Sequence, residues 1–202
     1  MHGTVKKAPG YELFFAPLQV VLDPTDYERV QFAYFCSKYG HAAQLRDDGS
    51  RYFDHPKAAA WIYIFELGGR DPRMVIDLLL HDMPEDTYLL SFHRISHNFG
   101  SKIALDVRAV TKLPKGKETT EQYLRRVIVQ GPWAMLAKLC DRLHNLRDLH
   151  LCTREKISAQ IEETHRYHLP LLIPALRTFG DPWSGYAKIL EREINELLRS
   201  LP

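Results

Sequence analysis

Residues 78–87 read Leu-Leu-Leu-His-Asp-Met-Pro-Glu-Asp-Thr. On a helix, residues four apart share a face, so His81 lies with Glu85 and Asp82 with Asp86. Four ionisable groups at the end of an apolar helix are costly unless something binds them. Imidazole nitrogens and carboxylate oxygens are the donors that a divalent metal and a water would use. A solvated helix end is the bland alternative, so other residues must decide. Two stand out. His55 starts a helix ahead of Pro56, and Asp141 follows the apolar stretch Ala137-Lys138-Leu139-Cys140. An unpaired buried carboxylate is disfavoured, and an ion pair with Lys138 or Arg142 is its ordinary explanation.

Placing such residues together needs rigid elements, and the chain supplies helices. Residues 1–22 lack a pattern and hold Gly3, Pro9, Gly10 and Pro17, which reads as an N-terminal arm. Asp23-Pro24-Thr25 caps a helix ending near Gly40, and the polar stretch 41–54 turns at Asp47-Asp48-Gly49. His55-Pro56 opens the next helix, lined by Ala58, Ala59, Ile62, Phe65 and Leu67 and closed by Gly68-Gly69. Asp71-Pro72 starts the helix that leads to His81, and Pro84 kinks or ends it beside the site. Ser91 and Ser101 cap two more helices, and Lys112, Lys115 and Lys117 mark a basic loop. Further helices are expected over 118–131, 133–149, 154–179 (broken at Pro170 or Pro174) and 182–200. No run alternates with period two, so the fold class is all-α, a bundle of roughly eight to ten helices, with residues 23–202 as one domain.

Composition narrows the function. The chain has 202 residues, 45% hydrophobic and 26% charged, ordinary values for one globular domain. A net charge of +2 gives no electrostatic case for nucleic acid or a membrane surface. Cys36, Cys140 and Cys152 lack CxxC spacing and read as reduced core thiols of a cytoplasmic protein. No apolar run reaches membrane-spanning length. A homo-oligomer is left open. Ten histidines make a metal worth seeking.

Taken together, His55, His81-Asp82 and Asp141 form the H…HD…D pattern, and the chain resembles the HD-domain phosphohydrolases, a helical superfamily that binds divalent metal. Further blocks are similar to the hydrolase domain of the RelA/SpoT proteins: Tyr39-Gly40-His41-Ala42-Ala43-Gln44-Leu45-Arg46 with Gly49, Tyr52-Phe53-Asp54-His55-Pro56, Glu85-Asp86-Thr87, Phe99-Gly100, Val110-Thr111-Lys112-Leu113, and Lys138 through Arg147. They keep their order from about residue 27 to 179. The expectation is a stand-alone small alarmone hydrolase, with no length left for synthetase or regulatory domains.

The resemblance implies a metal, usually manganese in this family, held by His55, His81, Asp82 and Asp141. The residue types alone would also accept Zn²⁺, Fe²⁺ or Ni²⁺. Glu85 and Asp86 are then placed to orient or deprotonate a water, with Glu85 as the base. Arg46 matches a residue that stacks on the nucleobase, Asn145 one that hydrogen-bonds the nucleoside, and Leu151 an apolar contact on the base. Lys112, Lys138 and Arg142, with Lys115, Lys117 and Arg147, are candidates to neutralise phosphates; a solvated loop explains the loop lysines equally well. His144 and His150 are read as structural. The implied reaction is hydrolysis of the 3′-pyrophosphate of a guanosine tetra- or pentaphosphate.

Three departures bear on the substrate. Asp47-Asp48 stands where long family members usually carry Lys-Ser, and Asp148 where threonine is frequent. These leave the base open between guanine and adenine, or a 3′-phosphorylated cofactor. Pro84 replaces the usual aliphatic residue and can shift Glu85-Asp86. The competing readings are another HD enzyme, such as a 5′-nucleotidase, which releases orthophosphate, and a nucleotide-binding module without turnover.

Overall fold

In the computed structural model, residues 9–47, 49–87 and 89–201 are described, with the backbone alone at Asp86 and Leu151. Asp48 lies outside the described residues. The helices are α1 (Tyr11–Gln19), α2 (Pro24–Gly40), α3 (Asp54–Trp61), α4 (Pro72–Leu80), α5 (Met83–Asp86), α6 (Phe92–Phe99), α7 (Ser101–Val110), α8 (Thr120–Gln130), α9 (Pro132–Arg147), α10 (Arg154–Glu163), α11 (Leu169–Arg177) and α12 (Trp183–Ser200). Among the described residues there is no strand, only one isolated bridge between Leu45 and Arg51. The all-α fold class expected from the sequence is what the chain adopts.

Local chemistry accounts for the helix starts. Asp23 accepts the Asp26 N–H at 2.9 Å, and Asp71 accepts that of Arg73 at 2.9 Å, each ahead of a proline that fits the first helical turn. Thr119 and Gln122 form a reciprocal capping box on α8. Ser101 is the first residue of α7 and Gly100 its cap, not Ser101 as the sequence suggested.

Three helices form the centre. Every residue of α4 from Met74 to Leu80 is buried, as is α9 from Ala134 to Leu143. In α3, Ala58, Ala59 and Ala60 are buried, and their small side chains let α4 and α9 pack close. A helix apolar on all sides belongs inside. Around this trio, α2 packs on α4, and α12 lies across α9 and α11.

Two findings depart from the sequence reading. The stretch read as an arm contains α1, which buries Phe14, Phe15 and Leu18. Phe14 and Phe15 join an aromatic cluster with Tyr34 and Trp61. The helix after His55 widens into a π turn over Ile62–Glu66. That inserted residue rotates the downstream end of the helix, leaving Ile64 buried and Phe65 exposed on Trp61. A second π turn, Thr164–His168, sits just ahead of Pro170 and joins α10 to α11 without a break.

Candidate active site

The central trio brings His55, His81 and Asp141 to one place: the start of α3, the end of α4 and the middle of α9. Pro84 has no N–H to give the Leu80 carbonyl, so the α4 ladder stops there. The chain turns at Asp82, with φ −94° and ψ −9°. On an unbroken helix, neighbours 81 and 82 diverge by about 100°; here both side chains reach the same point. Gly40, at the end of α2, permits the turn to sit close. A Cβ there would lie 2.5 Å from Met83 Cε.

His55, His81 and Asp82 each present a donor atom within 4.8 Å of the others. His55 Nε2 lies 3.1 Å from Asp141 Oδ1 and 3.4 Å from Asp82 Oδ2. His81 Nε2 lies 3.2 Å from Asp82 Oδ1 and 3.7 Å from Asp141 Oδ1. That nitrogen is buried and makes no hydrogen bond among the described residues. The Leu78 carbonyl, 2.8 Å from Nδ1, accepts that nitrogen's hydrogen and leaves Nε2 as the ring atom turned toward the two carboxylates. Two carboxylates converging on buried imidazoles call for positive charge, a proton or a metal, and two imidazoles with two carboxylates suit a first-row divalent ion.

The electrostatics agree. Burial works against charge on His81, but Asp82 and then Asp141 push its pKa up to about 9. Burial likewise opposes ionisation of Asp141. Lys138, the largest opposing influence, and the two imidazoles hold its carboxyl well below the usual range. Lys138 Nζ lies 2.5 Å from Asp141 Oδ2. Burial opposes the Lys138 charge as well, and Asp141 outweighs it and raises the pKa above the ordinary lysine range.

A cavity of about 130 Å³ surrounds these atoms, lined also by Glu85, Lys112, Lys138 and Arg46. Glu85 Oε2 accepts the Lys112 backbone N–H at 3.2 Å. The Asp86 side chain lies outside the described residues. A second cavity of about 230 Å³ adjoins the first, sharing Arg46, Tyr52 and Asn145, and is completed by Leu45, Asp47, Asp148, Cys152 and Lys156. The loop supplying Arg46 and Tyr52 closes at Gly49, whose φ of +78° disfavours any side chain. Asn145 stands between the cavities, donating to Asp141 Oδ1 at 2.5 Å and accepting from Arg46 at 3.0 Å. Asp148 pairs with Arg46 at 3.2 Å, and Asp47 pairs with Lys156. Asp47 and Asp148 therefore each face a cation.

The HD domain family profile matches residues 33–171. The chain belongs to the HD domain family. It is 32% identical over 180 residues to a GTP pyrophosphokinase of Streptomyces coelicolor, covering 83% of this chain and 21% of that protein. To a guanosine-3′,5′-bis(diphosphate) 3′-pyrophosphohydrolase of Aquifex aeolicus it is 35% identical over 153 residues, covering 73% and 22%. The chain thus spans about a fifth of the length of these curated relatives. A solved structure of a metazoan ortholog of SpoT, described as hydrolysing ppGpp with a role in starvation responses, superposes with a TM-score of 0.69 at 25% identity, covering 89% of this chain and 96% of that one.

Some sequence-predicted residues of this HD domain fall elsewhere. Arg142 was expected at the phosphates, but one residue beyond Asp141 on α9 turns it about 100° away. It is buried against Gln160, Glu163 and His168 on the α10 side. Arg147 forms a two-pronged pair with Glu66 at 2.7 and 2.8 Å. Lys115 and Lys117 line neither cavity. The Leu151 side chain lies outside the described ones.

Two residues beside the donor cluster have no site role in the sequence reading. Tyr52 donates to Asp82 Oδ2 at 3.1 Å and stacks on His41; its loop position carries no periodic signal. His144, read as structural, lies 2.8 Å from His55 Nδ1. Its spacing of three from Asp141 was the available signal. Burial, with the Arg46 guanidinium nearby, pushes the His144 pKa well below the usual imidazole range.

Proposed function

We propose that this chain is a metal-dependent 3′-pyrophosphohydrolase of alarmone-type nucleotides, (p)ppGpp or (p)ppApp, releasing pyrophosphate. One observation carries the reading. A cluster of two buried imidazoles and two carboxylates adjoins a second cavity lined by an arginine, a tyrosine and an asparagine. The activities for which the Aquifex relative and the metazoan ortholog are named support it.

His55, His81, Asp82 and Asp141 would hold the ion, manganese by the family resemblance. Such an ion, when bound, supplies Lewis-acid polarisation of a phosphoryl group and a lowered pKa for water. The chain's own residues do the rest. Lys112 and Lys138 line the same cavity and neutralise the pyrophosphate. Arg46, Tyr52 and Asn145 lead into the adjoining cavity, where the nucleoside sits, with Arg46 offering a planar guanidinium to the base. Glu85 takes a proton from the attacking water. The water oxygen joins the phosphorus attached to O3′, the P–O3′ bond breaks, and O3′ leaves taking up a proton from solvent, to which Glu85 releases the one it took. The products are pyrophosphate and a nucleoside 5′-di- or triphosphate with a free 3′-hydroxyl.

The test is product identification with Mn²⁺ present, offering guanosine and adenosine 3′-pyrophosphates, 3′-phospho cofactors and nucleoside monophosphates. Intact pyrophosphate is expected. Orthophosphate from monophosphates alone would replace this reading with a 5′-nucleotidase, and binding without turnover under any metal would replace it with a binding module.

A further inference from the structure

His55 and His144 meet through the same atom of each ring. Their Nδ1 atoms are 2.8 Å apart, with ring centroids 4.9 Å apart. Two ring nitrogens this close share one hydrogen, so one ring donates and the other accepts. The far side of His55 decides which. Its Nε2 faces the Asp82 and Asp141 carboxylates at 3.4 and 3.1 Å, and a cation among them takes a lone pair from that nitrogen. A neutral imidazole has one hydrogen, which must then sit on Nδ1. His144 Nδ1 is left as the acceptor. The opposite arrangement, with the hydrogen on His144 Nδ1, which also lies 3.5 Å from Asp148 Oδ2, would make His55 Nδ1 the acceptor, place the His55 hydrogen on Nε2 and close it to metal.

His81 meets the same requirement from its own helix, through the Leu78 carbonyl. His55 opens α3, and its Nδ1 is met from α9 instead. That helix provides Asp141 and, three residues on, His144.

We propose that His144 is a positioning residue: its Nδ1 accepts the His55 hydrogen, fixing the tautomer and ring orientation that turn His55 Nε2 toward the metal. The proposal rests on reading the donor cluster as a metal centre.

It is tested by titrating Mn²⁺ into chelator-stripped full chain by calorimetry, for wild type, His144→Phe and His144→Asn. The asparagine oxygen, like Nδ1, lies two bonds beyond Cβ and can accept, whereas phenylalanine cannot. The expected result is a loss of about 10- to 100-fold in affinity for His144→Phe, the usual cost of losing a metal ligand's outer partner, with most of it restored in His144→Asn. Ring-nitrogen NMR of the Zn²⁺-loaded wild type is expected to place the His55 hydrogen on Nδ1. Wild-type affinity in His144→Phe overturns the proposal, as does an asparagine variant as weak as the phenylalanine one, or a His55 hydrogen on Nε2. If His144→Phe does not fold by circular dichroism, the asparagine variant and the NMR assignment decide. A wild type that binds neither Mn²⁺ nor Zn²⁺ sinks the metal reading itself, and this proposal with it.

Discussion

The Arg46 guanidinium donates to the Asn145 side-chain oxygen at 3.0 Å, across 99 residues of sequence. Asn145 in turn donates to Asp141, so the wall of the larger cavity is tied to a candidate metal ligand. Arg46 itself touches none of the ion-facing oxygens. Arg46→Ala is therefore expected to weaken nucleotide binding while sparing metal binding. Losing a cation–π contact with the base costs about 0.5–2 kcal/mol, which corresponds to a KM roughly 2- to 30-fold higher at similar kcat. Steady-state kinetics alongside Mn²⁺ calorimetry would check this. A variant with unchanged KM but weaker metal binding would show that Arg46 serves the metal end instead.

The Lys138–Asp141 pair makes a different prediction, about folding. Both groups are buried, and their charged atoms lie 2.5 Å apart. Removing one partner strands the other's charge, at a cost of about 3–5 kcal/mol for a buried pair. Asp141→Asn and Lys138→Met should each lower the denaturation midpoint, and Asp141→Asn should also abolish turnover. The double variant should lose less than the sum of the two. Urea melts of metal-free protein provide the comparison, and strict additivity would count against the pair's isolation from solvent.

How much of this could be read from sequence depends on the kind of signal. Caps made by adjacent residues, Asp23 with Pro24 and Asp71 with Pro72, were legible because their chemistry is local. The break beside His81 was legible too, since Pro84 removes a specific hydrogen bond. Helix α1 was not: it runs only from Tyr11 to Gln19 and Pro17 interrupts it, so its buried Phe14, Phe15 and Leu18 sit in too short a window for a period to emerge. Arg142 was misplaced because composition marks it as basic, while its angle on α9 decides its partners. The turn of the helix was also the clue to His144, one turn from Asp141. The π turns at Ile62–Glu66 and Thr164–His168 leave no sequence pattern, so the rotation of Phe65 out of the core was unreadable.

The proton on His81 predicts a pH dependence. Its pKa in the folded chain stands at about 9, above the ordinary 6.5. In metal-free protein this interaction stabilises the fold fully below about pH 6.5 and is lost as pH rises through about 9. Metal must displace that proton from Nε2, so Mn²⁺ affinity should climb with pH up to that point. Calorimetry at pH 7.5 in buffers of different ionisation enthalpy should reveal protons released on binding. No proton release would mean that His81 is already neutral or is not a ligand.

Asp77 makes the last prediction, away from the site. It is 1% exposed on α4, and neither carboxylate oxygen has a hydrogen-bond partner among the described residues. Burial first, and then the neighbouring Asp106, push its pKa well above the usual carboxylate value; Arg73 opposes the shift. Arg73 is bound instead to Asp106, at 2.5 and 3.0 Å, and Gln130 donates to the same carboxylate. Burial beside Asp106 thus favours the neutral form of Asp77. For a carboxyl with a raised folded pKa, its contribution is fully present below the unfolded value near 3.8 and is lost as pH rises toward the folded one. Asp77→Asn has nearly the same shape and no proton to lose. It should raise stability at pH 7.5 by about 1 kcal/mol, the scale of one unsatisfied buried group, with a smaller gain at pH 5. Urea melts at the two pH values test the sign: a variant that loses stability at pH 7.5 would mean that Asp77 is ionised and held by Arg73.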